Sequence, residues 1–352
     1  MAKNIIYIYS MKYTYPLIIT LFFSCSNQSN YNQYAIRDFS SSLQPYLTSI
    51  VSSDIAQWDT STSYLETHTS DKELEQLSHS EHPVLRAVAL RAILRRKSMD
   101  HFDILMNHLD DTGHLHFDFG EWGIGFTTVS DDLIENFEWE NMEQRQKTID
   151  AVITKHNYLN SAYTILPKIK ATPEYYSYIK QMVQHQSTYY VYRQKALYAL
   201  ASYKKQEDIP IIKQILLDNR GSIGYNFNII EKFPDTAYME VLERCYKSVY
   251  TRMNWDKNLE YSNSFSQAVA VYKNERSAII LSKMLNRKPN AFGLADTSYF
   301  KNRLIDAIWN NKCAAYDKLI AQIKPYIEET EHENQGLPLE PEEIVGPITI
   351  RW

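Results

Sequence analysis

The sequence predicts an all-α protein made of helical hairpins that recur along the chain, with one short β-hairpin or extended insertion between them. Apolar residues recur at helical spacing through most of the chain. Similar helix pairs return at intervals of about 30 to 40 residues, which is typical of stacked repeat proteins. One stretch alternates polar and apolar residues instead, and this alternation predicts strands.

The composition indicates a folded chain and argues against several functional classes. Of the 352 residues, 44% are hydrophobic and 13% aromatic, which is enough apolar material for a core. Only nine are glycine, and large nucleotide-binding α/β folds need glycine at their phosphate turns. With 37 basic residues against 42 acidic ones, a net charge of −5 and no long basic run, we expect no nucleic-acid binding.

The first residues have the pattern of an export signal. Residues 1–24 contain Lys3 and Lys12 but no acidic residue, and an apolar run over residues 17–23 ends at Ser24. A basic start, a short apolar run and a small residue before the cleavage point are typical of signal peptides. The run is shorter than the roughly 20 residues that span a bilayer. We therefore predict a signal peptide over residues 1–24.

Cys25 follows this run directly and resembles the lipobox cysteine of bacterial lipoproteins. The resemblance implies that Cys25 is lipidated, that residues 25–33 form a tether, and that the protein is anchored in the membrane of a bacterial cell envelope, facing the periplasm or the cell surface. An uncleaved anchor and a cleaved secreted protein are the alternatives. The start is Met1 or Met11, since Met11 would open a more compact signal.

The first clear helix pair covers residues 82–111. Pro83 suits the first turn of a helix, and residues 84–94 place their apolar side chains on one broad side. A second helix follows over residues 102–109, after a short charged break.

The pair recurs when the chain is aligned with itself. Ala92 in the first helix falls on Ala199, Ile229, Ala268 and Ala307, and alanine at most of these positions allows close packing. The second helices share an apolar pair, at Ile104-Leu105, Ile211-Ile212, Val241-Leu242, Ile280-Leu281 and Leu319-Ile320. In the turn between the helices, Lys97 falls on Lys204, and Tyr203-Lys204 falls on Tyr272-Lys273.

This pattern resembles HEAT repeats over residues 71–328, most clearly in residues 82–111, 187–218 and 264–328. The resemblance implies an α-solenoid, in which each unit buries its apolar face only against its neighbours. Armadillo-like and generic helical-hairpin repeats are the alternatives.

The two ends complete the predicted organisation. Residues 34–70 are expected to form N-terminal capping helices, and residues 329–352 a C-terminal tail. The last residues, 344–352, are apolar enough to dock on the stack as an extended segment. A disordered tail is the alternative.

The insertion is predicted over residues 111–129. Its turn falls in residues 120–125, where glycine recurs, and the next helix is expected to begin near Val129 with Ser130 as its cap. The strand signal is the alternation of apolar Leu115, Phe117 and Phe119 with polar His114, His116 and Asp118. Insertions in repeat arrays often lie on a binding face.

The sequence offers few candidates for chemistry, and we predict no catalytic residue. It lacks a Gly-x-Ser-x-Gly motif and a phosphate-binding loop. Histidine and aspartate are concentrated in residues 101–122, and His114, His116 and Asp118 carry the groups that a transition metal would use. A solvated hairpin explains the same residues without a metal.

Two further features are interpreted as structural. Cys245 lies in an apolar helical pattern and is interpreted as a buried small side chain, and Cys313 as a core or turn residue. The basic cluster from Arg91 to Lys97 is interpreted as a solvated helix end favoured by the helix dipole. An anionic partner or lipid headgroups are the alternatives for this cluster.

These observations favour a non-catalytic protein-binding or scaffold module of the bacterial cell envelope, tethered through Cys25 and without a cofactor. The expected partner is a protein, and the expected contact residues are His114, His116, Asp118, Glu121 and Trp122. The alternative is a metal-dependent enzyme or metal-binding protein centred on residues 101–122, with His114, His116 and Asp118 as ligands.

Overall fold

The computed structural model describes residues 34–52, 58–118, 124–185, 190–218, 223–247, 259–286 and 297–334. The predicted signal peptide, Cys25 and the tether lie outside these residues. Glu121 and Trp122 in the predicted insertion also lie outside them, as do residues 335–352 of the predicted tail.

Within the described residues the chain forms seventeen α-helices and one two-stranded antiparallel sheet. The helices are α1 (Gln44–Ser52), α2 (Trp58–His68), α3 (Asp71–Ser78), α4 (Pro83–Leu94), α5 (His101–Asn107), α6 (Val129–Asn136), α7 (Met142–Thr154), α8 (Asn160–Ile165), α9 (Pro173–Gln184), α10 (Tyr190–Ala201), α11 (Ile209–Asp218), α12 (Ile223–Lys232), α13 (Met239–Cys245), α14 (Leu259–Ala270), α15 (Glu275–Leu285), α16 (Thr297–Asn310) and α17 (Asp317–Asn334). The strands are β1 (His114–Asp118) and β2 (Ile124–Thr128). The all-α class with one short β-hairpin is confirmed, and the hairpin lies inside the predicted insertion.

The even-numbered helices pack against one another in chain order. Helix α2 contacts α4, α4 contacts α6, and the series continues through α8, α10, α12 and α14 to α16. Each is followed by an odd-numbered helix, which packs beside it or its even-numbered neighbour except for α11, which contacts α13. The helices therefore form successive pairs. Helix α17 continues to Asn334, so the first residues of the predicted tail are helical.

The positions aligned in the sequence are buried at the contacts between these pairs. Ala92, Ala199, Ile229, Ala268 and Ala307 are each at most 5% exposed and lie in α4, α10, α12, α14 and α16. In the second helices, Leu105, Ile212, Leu242 and Leu281 are fully buried. The sequence alignment therefore matches equivalent positions of the packed pairs.

The helix pairs present two opposite edges. The segments that join one pair to the next form the connection edge, and the segments within each pair form the turn edge. The connection edge comprises residues 79–82, 108–118, 124–128 and 155–159. In the second half of the chain the turn edge comprises residues 166–172, 202–208, 233–238, 271–277 and 311–316.

Tyrosine hydroxyl groups join neighbouring turns along the turn edge. The hydroxyl of Tyr203 donates to the carbonyl oxygen of Thr172 at 2.8 Å, and that of Tyr272 donates to Asp235 at 2.7 Å. In each case the acceptor directly precedes the second helical segment of the preceding pair. The aligned tyrosines therefore make equivalent contacts.

The residue after each of these tyrosines has a left-handed backbone. Lys204 has φ of 52° and Lys273 has φ of 51°. This region costs about 1–2 kcal/mol for a residue with a side chain, and it commonly ends a helix. The Tyr-Lys pairs that align in the sequence thus share one strained turn.

A second pair of equivalent tyrosines differs in hydrogen bonding. Tyr316 and Tyr238 each end a short 3₁₀ helix before the second helix of their pair, and both are fully buried. The hydroxyl of Tyr316 lies 2.6 Å from Oγ of Ser277, donates to the carbonyl of Ala270 at 2.9 Å and accepts from the amide of Lys273 at 3.2 Å. The hydroxyl of Tyr238 has no hydrogen-bond partner among the described residues.

The interpretation of the basic cluster 91–97 as a solvated helix end is wrong for two of its arginines. Arg91 forms a bidentate ion pair with Asp132 on α6, and the two side chains are only 20% and 3% exposed. Arg96 pairs with Asp71 and donates to the backbone carbonyls of Glu66 in α2 and Thr69 in the turn before α3. These arginines join neighbouring pairs, and no free partner is needed to explain them.

The two buried tyrosines provide a matched test of this packing. Tyr316→Phe should lower the free energy of unfolding by about 1–3 kcal/mol, because the polar groups it contacts stay buried. Tyr238→Phe should leave stability unchanged or raise it by up to about 1 kcal/mol, since it removes a buried hydroxyl without a partner. Urea unfolding of both variants measures the difference, and equal losses would contradict it.

Candidate functional site

The two strands of the hairpin have one inward and one outward face. Because side chains alternate along a strand, residues paired across the ladder share a face. One face carries the pairs His114–Thr128, His116–Phe126 and Asp118–Ile124, and the other carries Leu115–Thr127 and Phe117–Gly125. Leu115 is 1% exposed and belongs to the core. The face that carries the histidines is therefore the outward face.

An exposed aromatic ring lies on this outward face. Phe126 is 64% exposed, and the ring of His116 packs edge-to-face against it with centroids 5.0 Å apart. His116 is half-buried and His114 is exposed. The outward face thus combines imidazole groups with one apolar ring.

The structure brings together some of the predicted contact residues. His114 and His116 share the outward face, and the register of β1 places Asp118 on the same face. Glu121 and Trp122 lie outside the described residues. Phe126 was not among the predicted contact residues, and the register of the two strands places it opposite His116.

A bidentate ion pair holds the hairpin at its base. Nε and Nη2 of Arg86 on α4 donate to the two carboxylate oxygens of Asp111 at 2.6 and 2.7 Å, and both side chains are nearly buried. Nη1 of Arg86 donates to the carbonyl of Ser80 at 2.8 Å. Asp111 also accepts from the amide of Gly113 at 3.0 Å. The ion pair therefore determines where the hairpin leaves the helices.

Gly113 is required by this close contact. A Cβ atom at Gly113 would lie 2.4 Å from Nη2 of Arg86 and 2.9 Å from Cβ of Pro83. Real Cβ atoms do not approach other atoms so closely, so any larger residue would displace Arg86. The glycine permits the hairpin to begin directly against α4.

The end of the hairpin is held by a different residue from the one predicted. Thr128 caps α6 by accepting from the amide of Asp131 at 3.1 Å, so the prediction of Ser130 as the cap is wrong. Ser130 is fully buried and its hydroxyl lies within hydrogen-bond distance of the carbonyls of His108 (2.9 Å) and Asp111 (2.7 Å). It joins the two ends of the insertion.

Asp131 connects the hairpin to the following helix pair. Its side chain accepts hydrogen bonds from the amides of Asn160 and Ser161, at 3.2 and 2.7 Å, and from the hydroxyl of Ser161 at 2.6 Å. These amides begin α8, so the carboxylate satisfies donors at that helix end. The residue is 5% exposed. Its role is therefore structural.

Two histidines stack beneath the hairpin. The rings of His79 and His108 lie 5.0 Å apart with an interplanar angle of 21°, and His108 is 6% exposed. Burial, together with the neighbouring His79 ring, lowers the pKa of His108 to about 4. Burial also lowers the pKa of His79. Both rings are therefore neutral at neutral pH.

The described part of residues 101–122 does not form a metal site. His108 is stacked in the interior, whereas Nε2 of His101 lies 2.6 Å from the carbonyl oxygen of Arg96. Across the described residues, no group of three or more histidine, cysteine, aspartate or glutamate side chains is placed to hold a metal ion. His114 and His116 are the histidines of this segment that share a face.

A tyrosine-lysine pair on α9 has the elements of an acid-base site. The hydroxyl of Tyr176 lies 3.0 Å from both carboxylate oxygens of Asp208 and 3.1 Å from Nζ of Lys180. Burial and the hydrogen bond to Glu207 raise the pKa of Tyr176 to about 12. A tyrosine held in its protonated form cannot act as a base near neutral pH. We interpret the cluster as a structural contact between neighbouring pairs.

The thiol of Cys245 is not activated. Cys245 is 7% exposed, and burial raises the pKa of its thiol to about 11, as expected for a small buried side chain. Cys313 is half-buried and precedes the 3₁₀ helix that leads into α17. Neither cysteine forms a disulfide.

None of the helices in the described part of the chain combines the length and the apolarity needed to cross a bilayer. Comparisons with protein-family models, curated proteins and solved structures found no match to the chain. No relative therefore assigns a role to the residues of the hairpin.

The histidine stack makes stability depend on pH. The pKa of His108 lies below its ordinary value of 6.5. The contribution of the neutral ring to the free energy of unfolding is therefore complete above about pH 6.5 and is lost as the pH falls toward 4. From this group we expect the free energy of unfolding to fall by about 2–3 kcal/mol between about pH 7.5 and pH 4.5. Urea unfolding at both pH values measures the loss.

Replacement of His108 by phenylalanine, whose ring cannot bind a proton, isolates the effect of His108 on the pH dependence of stability. His108→Phe should lose less stability over the same pH range, because the ring still stacks on His79 but the more deeply buried titrating group is gone. The exposed His114 provides the matched control, and His114→Phe should keep the wild-type pH dependence. An equal loss in His108→Phe and the wild type would contradict the assignment.

Proposed function

We propose that the protein is a non-catalytic interaction module that binds a protein partner through the outward face of its hairpin. In this proposal the helix pairs form a HEAT-like α-solenoid, and a lipid on Cys25 holds the module at the bacterial cell envelope. The packing of the even-numbered helices in chain order and the burial of the aligned positions support the solenoid. The resemblance of residues 1–25 to a lipoprotein signal supports the tether.

The observation that carries the proposal is the exposed ring of Phe126 on a firmly held hairpin. The ring is 64% exposed and rests on His116. Aromatic side chains supply much of the binding energy at protein interfaces. The Arg86–Asp111 ion pair holds the hairpin in place before any partner binds, which reduces the entropy lost on binding.

A second exposed aromatic residue lies on the same connection edge. Tyr158 is 53% exposed in the segment between α7 and α8, and its hydroxyl lies 3.1 Å from Nδ1 of His156. Tyr158 lies close enough to Asp110 and Asp131, which flank the hairpin in the chain, to be affected by their charges. Burial and these two charges raise the pKa of Tyr158. A partner that covers Phe126 has a second aromatic contact available along this edge.

A metal-binding role for the same face is the alternative. His114 and His116 share the outward face, and the register adds Asp118 to it. Zinc bound stoichiometrically to the purified protein, and lost in a His114→Ala/His116→Ala variant, would favour this alternative.

Crosslinked affinity capture from the native cells tests the interaction. We expect one dominant partner, and Phe126→Ser should reduce its capture by about tenfold, since an interface aromatic often contributes more than 1 kcal/mol. Met142→Ser is the matched control, because Met142 is 70% exposed but begins α7, at the other end of α6 from the hairpin. Equal capture by the wild type and Phe126→Ser, or the same loss in Met142→Ser, would refute the proposed face.

Fractionation of the same cells tests the tether. The wild-type chain should sediment with the membranes, and Cys25→Ala should release most of it or leave an uncleaved precursor, because the lipid cannot be attached. Cys313→Ala, at a half-buried cysteine far along the chain, is the control and should not change the distribution. A Cys25→Ala chain that is processed and membrane-bound like the wild type would contradict lipidation at Cys25.

A further inference from the structure

The turn edge forms one continuous surface in the second half of the chain. The tyrosine contacts described above join turn 202–208 to turn 166–172 and turn 271–277 to turn 233–238. Tyr316 joins turn 311–316 to turn 271–277. The 3₁₀ helix of turn 233–238 contacts α11, which follows turn 202–208. Five successive turns therefore lie side by side.

Each of these five turns contains or directly follows an exposed lysine. They are Lys168, Lys204, Lys232, Lys273 and Lys312, with Lys170 and Lys205 beside the first two. Lys204, Lys273 and Lys312 occupy equivalent positions, two or three residues after the end of a first helix. Within the described residues none of the seven forms an ion pair. Lys205 lies near the exposed Glu207 of its own turn, without a direct ion pair.

Aromatic rings hold several of these lysines at the surface. Nζ of Lys205 lies 3.3 Å from the centroid of the Tyr176 ring, and Nζ of Lys312 lies 3.1 Å from that of Trp309. Lys232 is placed over Tyr198 at 5.4 Å. Such cation–π contacts restrain an ammonium group without cancelling its charge.

The lysines form a row and not a uniformly basic face. Exposed acids lie in the first turn of the second helices, at Glu174, Glu275 and Asp317, and in turn 202–208 itself, at Glu207. A flat anionic surface laid against this edge would meet both signs of charge. A linear ligand along the lysines would contact fewer of these acids than a flat surface.

The spacing of the row suits an extended polypeptide. Neighbouring packed helices lie about 8–10 Å apart, so lysines on successive turns are about 10 Å apart. An extended chain advances about 3.3 Å per residue, so every third residue meets the next lysine.

The position of the chain entry also disfavours a membrane at this edge. The amide of Tyr34 donates to His79 and the carbonyl of Tyr34 accepts from Glu81, so the described chain begins at the connection edge. A tether before Tyr34 would join the molecule on that side, opposite the lysines.

We propose that the turn edge is a second binding surface, which takes an extended acidic polypeptide segment with a carboxylate at about every third residue. The lysines of five successive turns pair with these carboxylates. This surface is distinct from the hairpin, and its occupation does not depend on the partner proposed there.

Fluorescence anisotropy of the full-length chain tests the proposal. The probe is a labelled synthetic peptide of about 15 residues with glutamate at every third position, separated by serine and glycine. A second peptide of the same composition carries its glutamates together at one end. We expect the spaced peptide to bind more tightly, and its binding to weaken as salt is added.

A charge-matched pair of variants locates the binding surface. Lys204→Gln/Lys232→Gln/Lys273→Gln/Lys312→Gln should weaken binding of the spaced peptide by at least about tenfold, since four exposed ion pairs are lost. The control replaces the same number of exposed lysines elsewhere, Lys147, Lys155, Lys247 and Lys283, with glutamine. It should keep the wild-type affinity, and circular dichroism checks that both variants are folded.

Several results would overturn the proposal. These are equal binding of the two peptides, equal losses in the two variants, or no binding of the spaced peptide at low salt. Vesicles of phosphatidylglycerol that sediment the wild-type chain but not the first variant would show that the row recognises a membrane instead.

Discussion

The ion pair between Arg86 and Asp111 is the contact on which the candidate binding face depends. Arg86 lies on α4, contacts the carbonyl of Ser80 in the preceding connection and binds both carboxylate oxygens of Asp111 after α5. The carbonyl of Asp111 in turn accepts from Ser130 at the start of α6. Three segments thus meet at one guanidinium group, and the backbone of Asp111 joins the fourth. Removal of one partner would leave a nearly buried charge without its counterion, which is far more costly than loss of an exposed pair.

Polar contacts recur at both edges, while most of the side chains buried between the helices are apolar. Arg91 pairs with Asp132 on the next first helix, and Asp131 satisfies the amides that begin α8. On the turn edge, Tyr203 and Tyr272 reach the preceding turn. Apolar burial alone would let neighbouring helices slide, because it has no direction. Hydrogen bonds at both ends restrict each pair to one register.

The sequence was sufficient to predict the helical class, the recurring pairs and the position of the hairpin, because these depend on local periodicity. It also placed His114 and His116 on one face, since alternation along a strand is a local property. The partners of Arg91 and Arg96 could not be predicted, because those acids lie 25 residues or more away along the chain. Phe126 was missed for a related reason. Its neighbour His116 becomes apparent only when the two strands are set in register.

The contacts of Tyr316 indicate the order in which the helix pairs unfold. Among the described residues its hydroxyl contacts Ala270, Lys273 and Ser277 of the preceding pair, and α14 is the first helix on which α16 packs most extensively. Unfolding of the pair α16–α17 would therefore expose the apolar side of the pair α14–α15 and leave the other pairs folded. Opening from this end would proceed pair by pair, so amide protection should rise in steps toward the middle of the chain. The molecule would behave as a series of coupled cooperative units whose ends exchange first.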